Sequence, residues 1–174
     1  MDVTSASAHE LVDIVDDDDR VIATVTRREM RAERLQHRAV FIVVMSSDGR
    51  LLVHRRSDDK DVWPGWWDIA VGGVVAAGET YDDAAVRELA EEVGVTGLVP
   101  HALGGGRYVD DTVALLGKCY RVDHNGPFQF DDGEVVEARW VSAGELAAMR
   151  IDHSFLPDSL ELLLPLLPMP WGVR

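Results

Sequence analysis

The chain of 174 residues is poor in cysteine, in positive charge and in long apolar runs. Its one cysteine, Cys119, excludes an internal disulfide and a cysteine-rich zinc centre, and it suits a reducing compartment. Lys and Arg number 17 against 31 Asp and Glu, a formal net charge of −14. A field of that sign repels nucleic-acid polymers and anionic membranes, so neither is expected as a partner. A small phosphate ligand gripped by a local group of cations stays compatible with it. The longest apolar tract, residues 160–167, is broken by Glu161 and Pro165 and is too short to span a bilayer. No basic start followed by an apolar stretch marks a targeting segment, so a cytoplasmic location is expected. What is present, 47% hydrophobic and 28% charged residues, is an ordinary globular composition with enough chain to bury a core unaided.

Local patterning fills in the organisation. Residues 1–10 read as a frayed tail and 11–174 as a single domain without repeats. Strands are expected at 11–15 and 21–25, joined by a solvated turn through Asp16–Asp19. Thr26 and Glu29 have the spacing of a capping box, which predicts a short helix through Arg34. Residues 38–46 read as a buried strand, and Ser47-Asp48-Gly49 turns it into a hairpin partner at 51–54. Extended structure resumes over 67–71 after the Trp63-Pro64-Gly65 loop, and Gly72-Gly73 is expected to break it. The strongest helix covers 80–93, with Thr80 as its cap, Asp82 and Asp83 in its first turn, and Gly94 as its stop. Further strands are expected at 98–103, 112–122 and 136–141. A second capping box, Ser142 with Glu145, opens a helix through Met149, and a last helix starts near Pro157. The pattern is a mixed sheet flanked by a few helices, an α/β class. Cys119, His37 and His54 read as satisfied core or strand residues.

On the helix 80–93, Ala85, Val86, Leu89, Ala90 and Val93 form one apolar stripe at about 100° per residue. Glu88, Glu91 and Glu92 share the opposite side, where mutual repulsion costs roughly a few tenths of a kcal/mol per pair. They sit near the negative end of the helix dipole, where anions are least favoured. Arg87 is spaced to offset this by pairing with Glu91 and with Glu79 on the preceding loop. The helix is entered through Gly72-Gly73, whose bare backbone admits a close approach by a cation. A divalent ion relieves the crowded charge, and all-oxygen ligation suits Mg²⁺, with Mn²⁺ as an alternative.

Gly73, Glu79 and Arg87-Glu88-Leu89-Ala90-Glu91-Glu92-Val93-Gly94-Val95 match the Nudix box, residues 73–95, at every specified position. Such a match arises by chance on the order of once in 10⁹ starting points. The resemblance runs over about 37–142 and takes in 52–56, Lys60 and Pro64-Gly65-Trp66-Trp67. It implies an α/β/α sandwich with a central mixed sheet, and hydrolysis of a diphosphate linked to some group X. It further implies that Glu88, Glu91 and Glu92 hold Mg²⁺ with help from the Gly73 carbonyl, and that Arg87 and Glu79 orient the acidic face. Glu88 and Glu91 are the candidate bases for in-line water attack, with Glu134 and Glu137 as alternatives on a loop that closes over the site. Small proteins of this family commonly dimerise, and the N-terminal strands and the Trp-rich loop are the candidate surfaces for a homodimer.

The upstream stretch looks most like the type I isopentenyl-diphosphate isomerase branch. Aligned on 67–73, Gly72 takes the place of that enzyme's cysteine, while Val74 and Met30 take the places of two metal histidines. Only His37 matches a third such histidine. Asp110 and Thr112 stand where two acidic residues are expected, and a threonine cannot do a carboxylate's proton chemistry. The reading is therefore a Mg²⁺-dependent pyrophosphohydrolase of a nucleoside diphosphate derivative or nucleotide. An isoprenoid diphosphate isomerase and a non-enzymatic nucleotide-binding regulatory module are the alternatives. Arg55, Arg56 and Lys60 are the candidate phosphate-binding cations, and Trp66 a candidate stacking surface beside Trp63 and Trp67. Tyr108 with Asp110-Asp111 is read as an exposed turn or as the opposite wall of the site.

Overall fold

The computed structural model describes residues 8–131 and 133–171. The expected tail over 1–10 therefore lies mostly outside the described residues. The apolar periodicities become nine strands: β1 (Leu11–Val15), β2 (Val21–Thr26), β3 (His37–Met45), β4 (Leu51–Arg56), β5 (Trp67–Asp68), β6 (Val71–Val74), β7 (His101–Val109), β8 (Ala114–Asp123) and β9 (Val135–Val141). The helices are α1 (Arg27–Ala32), α2 (Tyr81–Val93), α3 (Ala143–Asp152) and α4 (Pro157–Leu162), followed by a 3₁₀ turn at Leu164–Leu166. No helix among the described residues is long and apolar enough to cross a membrane.

β3 is the hub. It pairs parallel with β8 along its whole length and antiparallel with β6 over Ala39–Ile42. The expected 38–54 hairpin is corrected: β3 and β4 meet only at Met45 and Leu51, then diverge. β4 instead pairs with β9 and β5. The divergence opens a gap between a β7–β8–β3–β6 sheet and a β9–β4–β5 sheet. The β1–β2 hairpin joins through a single pair, Ile14 with His37.

α2 covers one face of β3, packing Ala85, Leu89 and Val93 on Val40, Ile42 and Tyr120. Burial of a side chain such as Leu89 contributes about 1.5–3 kcal/mol. The opposite face, with Phe41, Val43 and Cys119, is covered by Leu146 of α3 and by Leu163 and Leu164. The result is the α/β/α sandwich.

All four helix caps read from sequence form: the capping boxes at Thr26 and Ser142, the Thr80 cap and the left-handed Gly94. Two local expectations do not hold. Gly72 and Gly73 lie inside β6 and pair with Phe41 and Val40 rather than ending a strand. The strand expected at 98–103 lies at 101–109 and includes Gly104-Gly105-Gly106. Glycines disfavour strands in isolation, but a Cβ on Gly105 would stand 2.2 Å from the Gly117 carbonyl oxygen, so this pairing with β8 needs the missing side chain. Tyr108 is also not an exposed turn or a wall of the site: it is buried in the core, and its hydroxyl donates to Asp110 at 2.8 Å.

Candidate active site

The acidic stripe of α2 is not a solvated face. The helix lies so close to β6 that Glu88 and Glu92 are only 8% and 4% exposed. Gly73 makes this approach feasible, since a Cβ there would stand 2.6 Å from Glu88 Oε1. The Gly72 N–H donates to Glu92 Oε2 at 3.2 Å. Burial raises the proton affinity of both carboxyls; the Glu91 charge adds to this at Glu88, and the Glu88 charge adds to it at Glu92. Glu91 stays at the open edge.

Arg87 organises the face. Its Nε and Nη2 donate to the two oxygens of Glu79 at 2.8 and 2.9 Å. Its Nη1 donates to Glu88 at 2.8 Å and to Glu91 at 3.0 Å. Glu79 also accepts from the Ala76 N–H at 3.0 Å, which anchors the loop entering the helix. With Arg87 engaging two of the three glutamates, no three acidic, histidine or cysteine side chains among the described residues already surround one point. The donor set, two buried carboxylates and an exposed one beside a bare glycine backbone, nonetheless has the chemistry of a hard-cation site.

These residues line a cleft of about 770 Å³ between the two sheets. Arg56 and Lys60 line it, as does Glu134, which pairs with Lys60. The remaining expected site residues lie elsewhere. Arg55 pairs with Asp58 at 3.2 Å, and Trp66 stacks on Trp63 at 6.4 Å; neither lines the cleft, whereas Trp63 does. Trp67 is a core residue under the Arg139 guanidinium. Glu137 is not on a closing loop: it sits within β9 and pairs with Arg139 at 2.5 Å.

His37 lines the cleft with its Nδ1 3.0 Å from the Leu35 carbonyl oxygen, a satisfied histidine as read. His54 is not satisfied: it is buried and its Nδ1 has no partner. Burial holds their ring values down to about 4 and about 3.

Charged cleft residues that escaped the sequence reading are Glu10, Arg27, Arg31, Asp68 and Asp158. The two arginines are four apart on a helix whose cap was recognised, so their shared side was available as a signal. Asp68 and Asp158 are brought together from distant segments, and nothing in their local sequence indicates it.

The comparisons agree with this geometry. The NUDIX domain model matches residues 35–160. The chain belongs to the Nudix hydrolase family. A Nudix hydrolase of Streptomyces coelicolor is 50% identical over 162 residues, covering 92% of this chain and 90% of that one. The Nudix hydrolase YfcD of Escherichia coli K12 is 41% identical over 164 residues, covering 94% and 89%. The crystal structure of DR0079 from Deinococcus radiodurans superposes with a TM-score of 0.76 at 27% identity, covering 87% of this chain and 96% of that one. This Nudix protein is accordingly an enzyme of the pyrophosphohydrolase class, with its box running from the end of β6 through the loop and α2.

Proposed function

We propose that the protein is a Mg²⁺-dependent pyrophosphohydrolase that cleaves the diphosphate of a nucleoside diphosphate derivative or nucleotide by in-line attack of water. The observation that carries this reading is the buried pair Glu88 and Glu92, facing a cleft that also holds Arg56 and Lys60. Glu88, Glu91 and Glu92, with the Gly73 carbonyl, would hold the ion. When bound, Mg²⁺ neutralises phosphate charge and polarises the phosphoryl oxygens. The chain's own residues do the rest. Glu79 fixes Arg87, and Arg87 fixes Glu88 and Glu91. Glu91, with 57% of its side chain exposed, is placed to take a proton from water and release it to solvent. Arg56 and Lys60 draw in the anionic substrate.

One observation favours the isomerase alternative: His37, the residue that matches that enzyme's metal histidine, lines the cleft. Against it, Met30 is buried in a separate apolar cluster and Gly72 is a strand residue. The test is a broad nucleotide and organic-diphosphate panel with Mg²⁺, Mn²⁺ or chelator, with product analysis. Metal-dependent release of phosphate or a nucleoside monophosphate is expected, falling at least about 100-fold in Glu92→Gln. No release above a Glu91→Gln control would overturn the proposal. Interconversion of five-carbon diphosphates would revive the isomerase. A nucleotide that raises thermal stability without being cleaved would favour a binding module.

A further inference from the structure

Across the cleft from α2 lies a second charged group, most of which the hydrolysis reading leaves unused. Arg27 and Arg31 stand one turn apart on α1, with Met30 of the same helix buried against Val12 and Ile14, and both arginines line the cleft. Arg56 and Lys60 reach it from β4 and the loop beyond. Asp61 sits in their midst: burial works against its charge, but Arg31, Arg27, Arg56 and Lys60 together hold it ionised. It lies 3.2 Å from Arg31 Nε, while Glu10 takes Arg27 at 3.4 Å and Glu134 takes Lys60. Arg56 donates from Nη2 to the Val62 carbonyl at 3.2 Å. Among the described residues, Arg31 Nε and Arg56 Nε are buried without a hydrogen-bond acceptor in line. Buried donors left unmade are costly, and here they belong to cations. Arg27 also acts electrostatically on Glu88, so the group lies within reach of the acidic face.

We propose that Arg27, Arg31 and Arg56 form a seat for a terminal phosphate, so that the enzyme selects diphosphates with one free end over diphosphates esterified at both ends. A terminal phosphate presents three acceptor oxygens and nearly two negative charges near pH 7. An esterified one presents fewer acceptors and a single charge. Three arginines that line one cleft match the former, since guanidinium groups bind phosphate oxygens in pairs. The assignment rests on the diphosphate reading above for the position of the second phosphate.

The binding test uses calorimetry on the full chain, with and without Mg²⁺. The probes are methylenediphosphonate, whose ends are free, and its P,P′-dimethyl ester. Wild type is expected to bind the free form at least about 10-fold more tightly. Arg27→Gln and Arg56→Gln should weaken the free form about 10- to 100-fold and the ester far less. Asp61→Asn removes the competing carboxylate and should tighten the free form. Thermal melts of each variant establish that it is folded, and Arg31→Lys, which keeps the charge but loses the planar guanidinium fork, gives an intermediate loss. Equal binding of the two probes by wild type, or equal weakening of both by the variants, overturns the seat. Selective binding by a protein that hydrolyses nothing leaves the seat standing and removes the hydrolysis reading. Hydrolysis of free and capped nucleotides with the same kcat/KM, lowered alike in Arg27→Gln, removes the seat and leaves the hydrolase.

Discussion

Replacing Asp158 by Asn should stabilise the protein, and by an amount that depends on pH. Asp158 lies in the first turn of α4, one residue after Pro157, and is 5% exposed. Burial pushes its carboxyl up to about 7 from an ordinary 3.8, and the nearby Asp68 adds to this, while the Ser159 N–H and Arg56 oppose it. Between those two values the native state holds a proton that the unfolded chain does not, so stability falls as pH rises through the window. At about 1.4 kcal/mol per pH unit, the native state carries ~4 kcal/mol of cost above pH 7. Asn keeps the acceptor for the Ser159 N–H and has no charge to bury. Coupling to Asp68 divides the cost, so a gain of about 2–4 kcal/mol is expected at pH 8. That gain should exceed the gain at pH 5 by roughly 2–3 kcal/mol. Urea unfolding of both proteins at the two pH values measures it directly, with the slope of the transition confirming that one structural change is followed. An Asn variant equally stabilised at pH 5 and pH 8, or destabilised at pH 8, would refute the reasoning.

Other substitutions separate the roles in the box. Gly73→Ala places a methyl group 2.6 Å from Glu88 Oε1; the sandwich should persist while the thermal shift induced by Mg²⁺ disappears, and an unchanged shift would contradict the site. Arg87→Gln removes the fork on Glu79 and the bonds to Glu88 and Glu91, so a stability loss of about 1–3 kcal/mol by chemical denaturation is expected; no loss would mean that solvent replaces the network. Cys119, buried with its thiol pushed up to about 12, should resist a thiol reagent at pH 8 until the protein unfolds, and fast native labelling would contradict its placement.

What the sequence made legible was local. Thr26, Thr80, Ser142 and Gly94 announce helix ends because capping is settled within four residues. The acidic stripe of α2 and its Arg87 partner follow from helical spacing in the same way. What stayed hidden depended on partners far along the chain. Gly72 and Gly73 look like breakers until β3 lies beside them, and Gly104–Gly106 look like a loop until Gly117 faces them. Arg55 and Arg56 are adjacent and alike on paper, but strand alternation puts only Arg56 in the cleft. Helical spacing puts Glu88 and Glu92 on one side but says nothing of their depth; the close packing that the glycines permit is what buries them.

The parallel partnership of β3 with β8 also governs when activity arises. Everything from Ser46 to Val113, including the box helix and most of the cleft walls, lies between the two strands in the chain. Closing so long an intervening segment is slow and opposed by chain entropy until the ladder zips. During refolding, helical signal from α2 should therefore return ahead of turnover. Turnover should appear together with the protection of β8 amides from exchange, because the hearth of the enzyme is assembled by the last long-range contact rather than by the segment that carries its signature.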